Sequence, residues 1–150
     1  MHTLDPVDGH GARVAVLALK MEPCLSREAI IFALTHDYGE FAVGDFSNRF
    51  KKQEPKLAKH LAELERDEIA RLGLKVDHLL NAREARIVHL ADKLDAWLWM
   101  IRHEPGLRHR KEWRDQLADS IRVASELRVH DPVLDVVEAV THSLEKGIPA

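Results

Sequence analysis

Four side chains able to hold a divalent cation are spread along this chain: His10, the adjacent His36 and Asp37, and Asp92, with Glu40 and Asp45 following the pair closely. Imidazole nitrogens and carboxylate oxygens bind such an ion while leaving coordination positions open for water and a phosphate oxygen. The chemistry suggested by this set is metal-assisted hydrolysis. The dipeptide His-Asp alone carries little information, and it occurs twice. At His130-Asp131 the next residue is Pro132, so Asp131 is expected to cap a helix with proline at its first position, which is a structural use. The first pair has different neighbours, Tyr38-Gly39-Glu40 and then Gly44-Asp45.

The elements that must position these residues read as helices. Glycine and proline break the chain into pieces with helical periodicity, and no run of alternating β-branched residues bounded by hairpin turns is found. The expected class is all-α, a compact bundle of about six or seven helices. A first helix is expected from about His10 to Met21, with Val14, Leu17 and Ala18 on its apolar face and Pro23 ending it. Ser26 should cap a second helix that buries Ile30, Ile31, Ala33 and Leu34 and carries His36 and Asp37 at its C-terminal turn. Residues 44–53 read as a loop with a short turn. Glu54-Pro55 then opens an amphipathic helix through Leu57, Leu61, Leu64 and Ile69 to Leu72, with Gly73 as its stop. Asn81 with Glu84 forms a capping signature for the most apolar helix, Ala82 to about His103, before Pro105-Gly106. Helices from about Lys111 to Leu127 and from Pro132 to Lys146, the latter closed by Gly147, complete a single domain over residues 1–150. There is no internal repeat, low-complexity tract or linker.

Physical chemistry weighs some of these positions directly. An imidazolium favours a helix C-terminus, whereas an aspartate there is mildly unfavourable, and a bound cation would offset that penalty at Asp37. Asp92 lies among Leu90, Ala91, Leu94, Ala96, Trp97 and Leu98, and a carboxylate buried there must be paired or bound to a metal. Asp95 and His89 share its helical face and stand as alternative ligands, with Lys93 or Arg102 suited to pairing Asp95. Arg49, Lys51 and Lys52 form a cationic cluster suited to phosphate, or equally a solvated basic segment. Trp97, Trp99, Phe46 and Tyr38 offer faces on which a base could stack, although aromatics on helices usually belong to the core.

The order of the motif adds to this. His10, then His36-Asp37 with Glu40 and Gly44-Asp45 in the pattern HDxxExxxGD, then a lysine, then Ala91-Asp92 in a late helix, resembles the HD-domain phosphohydrolases over residues 9–102, most closely the small 5'-deoxynucleotidase-like group. The resemblance implies an all-α fold and a metal held by His10, His36, Asp37 and Asp92. It assigns proton transfer to Glu40, positioning of water or substrate to Asp45, and phosphate binding to Lys51, with Arg49 second and Lys52 on the surface. It implies one divalent ion, Mn²⁺, Co²⁺, Fe²⁺ or Zn²⁺, with Mg²⁺ admitted, and a small nucleotide as substrate, chiefly a deoxynucleoside 5'-monophosphate. Homo-oligomers, dimers above all, are common among such proteins. The alternatives are a deoxynucleoside triphosphohydrolase and a metal-holding regulatory module without turnover. The feature that favours the latter is the short N-terminus, since only nine residues precede His10 where relatives usually carry a longer segment with an arginine and an aromatic; Gly9 also stands where relatives commonly have an acid.

Composition is consistent with this class. At 150 residues, 45% apolar and 31% charged, the chain suits one soluble domain with a real core. A net charge of −3 argues against polymeric nucleic acid as a partner. The single cysteine, Cys24, excludes an internal disulfide framework and fits a reducing compartment. With no apolar run of membrane-spanning length and no basic and apolar leader, a cytoplasmic location is expected.

Overall fold

The structure, a computed structural model, describes residues 7–44, 46 and 48–146, apart from the side chains of residues 7, 8, 41, 48 and 49. Its elements are α1 (Val7–Met21), α2 (Arg27–Thr35), α3 (Glu40–Val43), α4 (Asn48–Gln53), α5 (Pro55–Arg71), α6 (Ala82–His103), α7 (Lys111–Leu127) and α8 (His130–Glu145), with 3-10 turns at Asp77–Leu79 and Pro105–His109. The fold is all-α, as read from the sequence, and the described residues contain no strand. No described helix is long and apolar enough to cross a membrane.

Helix α6 is the axis of the bundle, packed by α1, α2, α7 and α8. Ile87, Leu90, Leu94 and Ile101 are fully enclosed, and Trp97 belongs to the same core rather than to any surface on which a base could stack. Its start is set by reciprocal capping. The Asn81 side chain accepts from the Glu84 backbone N–H at 2.9 Å, and the Glu84 carboxylate accepts from the Asn81 N–H at 3.1 Å. The other Glu84 oxygen accepts from the Ser26 N–H at 2.9 Å, so one carboxylate joins the beginnings of α6 and α2. These backbone donors, Ser26 first, hold the Glu84 carboxyl below its usual range. Ser26 in turn caps α2 by accepting from the Ala29 N–H at 3.1 Å.

The apolar face of α2 differs from the expected one. Ala33 is buried as expected, but so is Ala29, while Ile30 and Ile31 are only half-buried and Leu34 is exposed. The reason lies across the interface, where the backbone of α1 approaches so closely that a Cβ at Gly11 would fall 2.4 Å from the Leu34 carbonyl oxygen. Small residues on both sides permit that approach, and His10 is carried with it toward the end of α2.

Three further elements depart from expectation. The stretch expected as a loop contains α4, since Arg, Lys and Gln favour helix and nothing interrupts them before Glu54 and Pro55. In α5 only Leu61 is buried, whereas Leu57 and Leu64 are 41% and 40% exposed, because this helix packs on α3 and α4 instead of on α6. Helix α8 begins at His130, so Asp131 lies in its first turn and is not its N-cap. The turn before it is already organised by Arg128, at φ 59°, and by the Val129 N–H, which donates to the Ala124 carbonyl at 2.9 Å. Proline is tolerated in that first turn and the acid favours the helix dipole there. The expected α8 stop, Gly147, lies outside the described residues.

Candidate metal centre

Three helices bring the proposed ligands together. His10 comes from the second turn of α1, His36 is the C-cap of α2 with Asp37 in the turn just after it, and Asp92 comes from the middle of α6. His10 Nε2 lies 3.2 Å from Asp92 Oδ1 and 3.5 Å from Asp37 Oδ2. His36 Nε2 lies 3.6 Å from Asp37 Oδ1 and 3.8 Å from Asp92 Oδ1. The two imidazole rings are tilted, their centroids 5.3 Å apart.

Each ring has its other nitrogen occupied. His10 Nδ1 is 2.8 Å from Asp95 Oδ2, and His36 Nδ1 is 3.0 Å from the Ala33 carbonyl oxygen. A carbonyl and a carboxylate can only accept, so both Nδ1 atoms carry a hydrogen and, in the neutral rings, both Nε2 atoms offer a lone pair to the same small space. His36 Nε2 is buried there without a hydrogen-bond partner among the described residues. Ligand atoms of His10, His36 and Asp37 all fall within 4.8 Å of one another. Two ligands of one transition-metal ion, each at about 2.1 Å, sit roughly 3.0–3.4 Å apart at octahedral or tetrahedral angles. The separations found, 3.2–3.8 Å, run slightly longer, and His10, His36 and Asp37 could hold a metal ion, with Asp92 beside them.

Without an ion the group is a hydrogen-bonded charge cluster. Asp92 first, then Asp95, pushes the His10 pKa up to about 10, against the desolvation that opposes it. Burial would lower the pKa of His36, but Asp92 and Asp37 beside it outweigh burial and raise it. Burial would raise the Asp92 carboxyl, yet the two imidazoles hold it well below the usual carboxylate range. A cation would take the place of these protons.

Asp95, and not Asp92, is the deeply buried acid of α6. Its side chain is 2% exposed, against 34% for Asp92, which faces the open side of the centre. Asp95 is paired neither by Lys93, which reaches Asp119 at 3.3 Å, nor by Arg102. Its partners are His10 and Arg13, whose guanidinium donates to both carboxylate oxygens at 2.8 and 2.9 Å. Burial raises the Asp95 pKa, but His10 and Arg13 overcome it and keep the group below its usual range. Arg13 in turn lies over the Trp99 ring at 4.6 Å, and Trp99 stacks on His103 at 3.8 Å. The role of Arg13 escapes a reading of single positions; its signal was spacing, since His10 and Arg13 sit one turn apart on α1 just as Asp92 and Asp95 do on α6. His89 is exposed and lines a different groove beside Lys93 and Asp119, so it is no alternative ligand.

The residues expected to act on substrate are placed in part. Glu40 opens α3 and its carboxylate lies 3.8 Å from Lys51 Nζ, which also reaches Glu65 of α5 at 3.9 Å. Glu65 had no signal in the sequence beyond the helical periodicity of an acidic face. It is brought in by Gly39, where a Cβ would lie 2.6 Å from the Glu65 carbonyl oxygen. Lys52 is exposed. Phe46 stacks on Phe50, centroids 5.4 Å apart. Asp45 and the Arg49 side chain lie outside the described residues. No family model, curated protein or solved structure matches the chain.

Proposed function

We propose that the chain is a metal-dependent phosphohydrolase of the HD-domain kind, acting on a nucleotide and releasing phosphate from deoxynucleoside 5'-monophosphates. One observation carries the reading: two imidazole Nε2 atoms and two carboxylates converge from three helices, and each imidazole has its other nitrogen engaged. His10, His36, Asp37 and Asp92 would hold the ion, with the two carboxylates balancing its charge. A divalent ion held by these residues would supply Lewis acidity toward a phosphoryl oxygen and would lower the pKa of water toward about 7.

Glu40, three residues after Asp37 in the chain, would take and return the proton of the attacking water, a role a carboxylate can serve. Lys51 would offset phosphate charge as it develops. In the present arrangement Lys51 neutralises Glu40 and Glu65, so binding a phosphate releases Glu40 to act as a base. That same pairing, at 3.8 Å, favours the second reading, a metal-holding regulatory module in which Glu40 and Lys51 stay joined.

The test is phosphate release from a panel of nucleoside mono- and triphosphates with Mn²⁺, Co²⁺ or Mg²⁺, using wild type and Asp37→Ala. Release of inorganic phosphate from monophosphates by wild type alone is the expected result, and release of triphosphate would identify the triphosphohydrolase instead. Metal uptake with no release from any nucleotide would leave the regulatory module.

A further inference from the structure

A cavity of about 210 Å³ opens between α2, α5 and the 3-10 turn at Asp77–Leu79, and His36 belongs both to its wall and to the metal centre. Phe32, Ala62, Ile69 and Leu74 supply the apolar part of its lining, and Glu65, Arg66, Lys75 and Asp77 the charged part. Pockets that enclose a whole drug-sized ligand measure roughly 300–1,000 Å³. This one is smaller, so it suits one part of a molecule whose remainder stays outside, at the metal centre.

Glu65 supplies the second observation. Its Oε1 is buried without a hydrogen-bond partner among the described residues, with only the distant ion pair to Lys51 at 3.9 Å. A buried carboxylate oxygen in that condition loses its hydration without replacement, and a ligand that donates a hydrogen bond restores it. Lys51 pairs with both Glu40 and Glu65. A phosphate that drew the Lys51 ammonium away from Glu65 would leave the carboxylate in greater need of a donor.

We infer that this cavity receives the nucleoside part of the substrate, its ring against Phe32, Ile69 and Leu74, while Glu65 accepts a hydrogen bond from a sugar hydroxyl or base amine. The inference rests on the phosphohydrolase reading and names the portion of the substrate that binds beside the phosphate. It makes Glu65 a specificity residue: esters whose leaving group carries both a flat apolar ring and a donor are preferred over those lacking either.

The experiment is calorimetric titration of the metal-loaded full chain with inorganic phosphate and with a deoxynucleoside 5'-monophosphate, comparing wild type, Glu65→Met and Ala62→Leu. Glu65→Met keeps the length of the side chain and removes both acceptor oxygens; Ala62→Leu fills the cavity from α5. Wild type should bind the nucleotide more tightly than phosphate, and each variant should narrow that ratio by about tenfold, the factor carried by one ordinary hydrogen bond or a comparable packing loss. Bound metal, measured in the same samples, shows that each variant is folded at the centre. If the nucleotide binds no more tightly than phosphate in wild type, or if the variants weaken both ligands equally, the nucleoside does not occupy this cavity. If neither ligand binds and no ester is hydrolysed, the phosphohydrolase reading falls and takes the inference with it.

Discussion

Asp95 accepts the Nδ1 hydrogen of His10 at 2.8 Å while Asp92, one helical turn earlier on α6, lies 3.2 Å from the opposite nitrogen of the same ring. One imidazole is thus bracketed by two acids with different work. The outer acid would share a bound ion, and the inner one, locked by Arg13, sets which nitrogen carries the hydrogen and where the ring points.

Replacing Asp95 by Asn keeps its shape and removes the charge that orients His10. Metal affinity should fall about 10- to 100-fold, the usual effect of losing such a supporting partner. Calorimetric metal titration measures this, and an unchanged affinity would show that α1 packing alone orients the ring.

Glu40 separates binding from chemistry. Glu40→Ala should take up metal as wild type does while hydrolysis drops by about 100- to 10,000-fold, the range of general acid–base contributions. Elemental analysis paired with turnover decides it, and retained turnover removes Glu40 from the reaction.

The metal-free protein should lose stability as pH rises through the alkaline range. His10 is raised from its ordinary 6.5 to about 10 by Asp92 and Asp95. A raised pKa means that the folded state holds the proton more tightly, so this stabilisation is complete below about 6.5 and is lost between about 6.5 and about 10. Melting temperatures in chelator should fall across that window, and an added transition metal should flatten the decline by replacing the proton. A flat profile in chelator would mean that the cluster does not form without metal.

The approach of α1 to α2 is testable at Gly11. Gly11→Ala places a methyl 2.4 Å from the Leu34 carbonyl oxygen, which should cost about 1–3 kcal/mol by overpacking and weaken metal binding by moving His10 from His36. Gly106→Ala, with nothing within 4 Å of the added atom, is the control and should leave metal binding alone. Thermal melts and metal titration of both variants give the comparison.

The helical elements whose signals are local were legible before folding. The Asn81–Glu84 capping box, the apolar run of α6, the Ser26 cap and the Gly73 stop depend on residues within one or two turns of each other, so the chain states them directly. Propensity alone could not decide α4, which has good helix formers but little apolar periodicity, or the start of α8, which follows from the cap of the preceding helix.

For the candidate centre, residue types and spacing determined that His10, His36, Asp37 and Asp92 were a possible ligand set, because imidazole and carboxylate chemistry belongs to the side chains themselves. Burial belongs to the packed whole. Helical periodicity puts Asp92 and Asp95 on one face of α6, and only the packing of α1, through His10 and Arg13, made Asp95 the enclosed partner and left Asp92 facing the open centre. The pairing of Lys51 with Glu40 and Glu65 was likewise decided in three dimensions, since an ion pair between segments depends on where α5 comes to rest against Gly39.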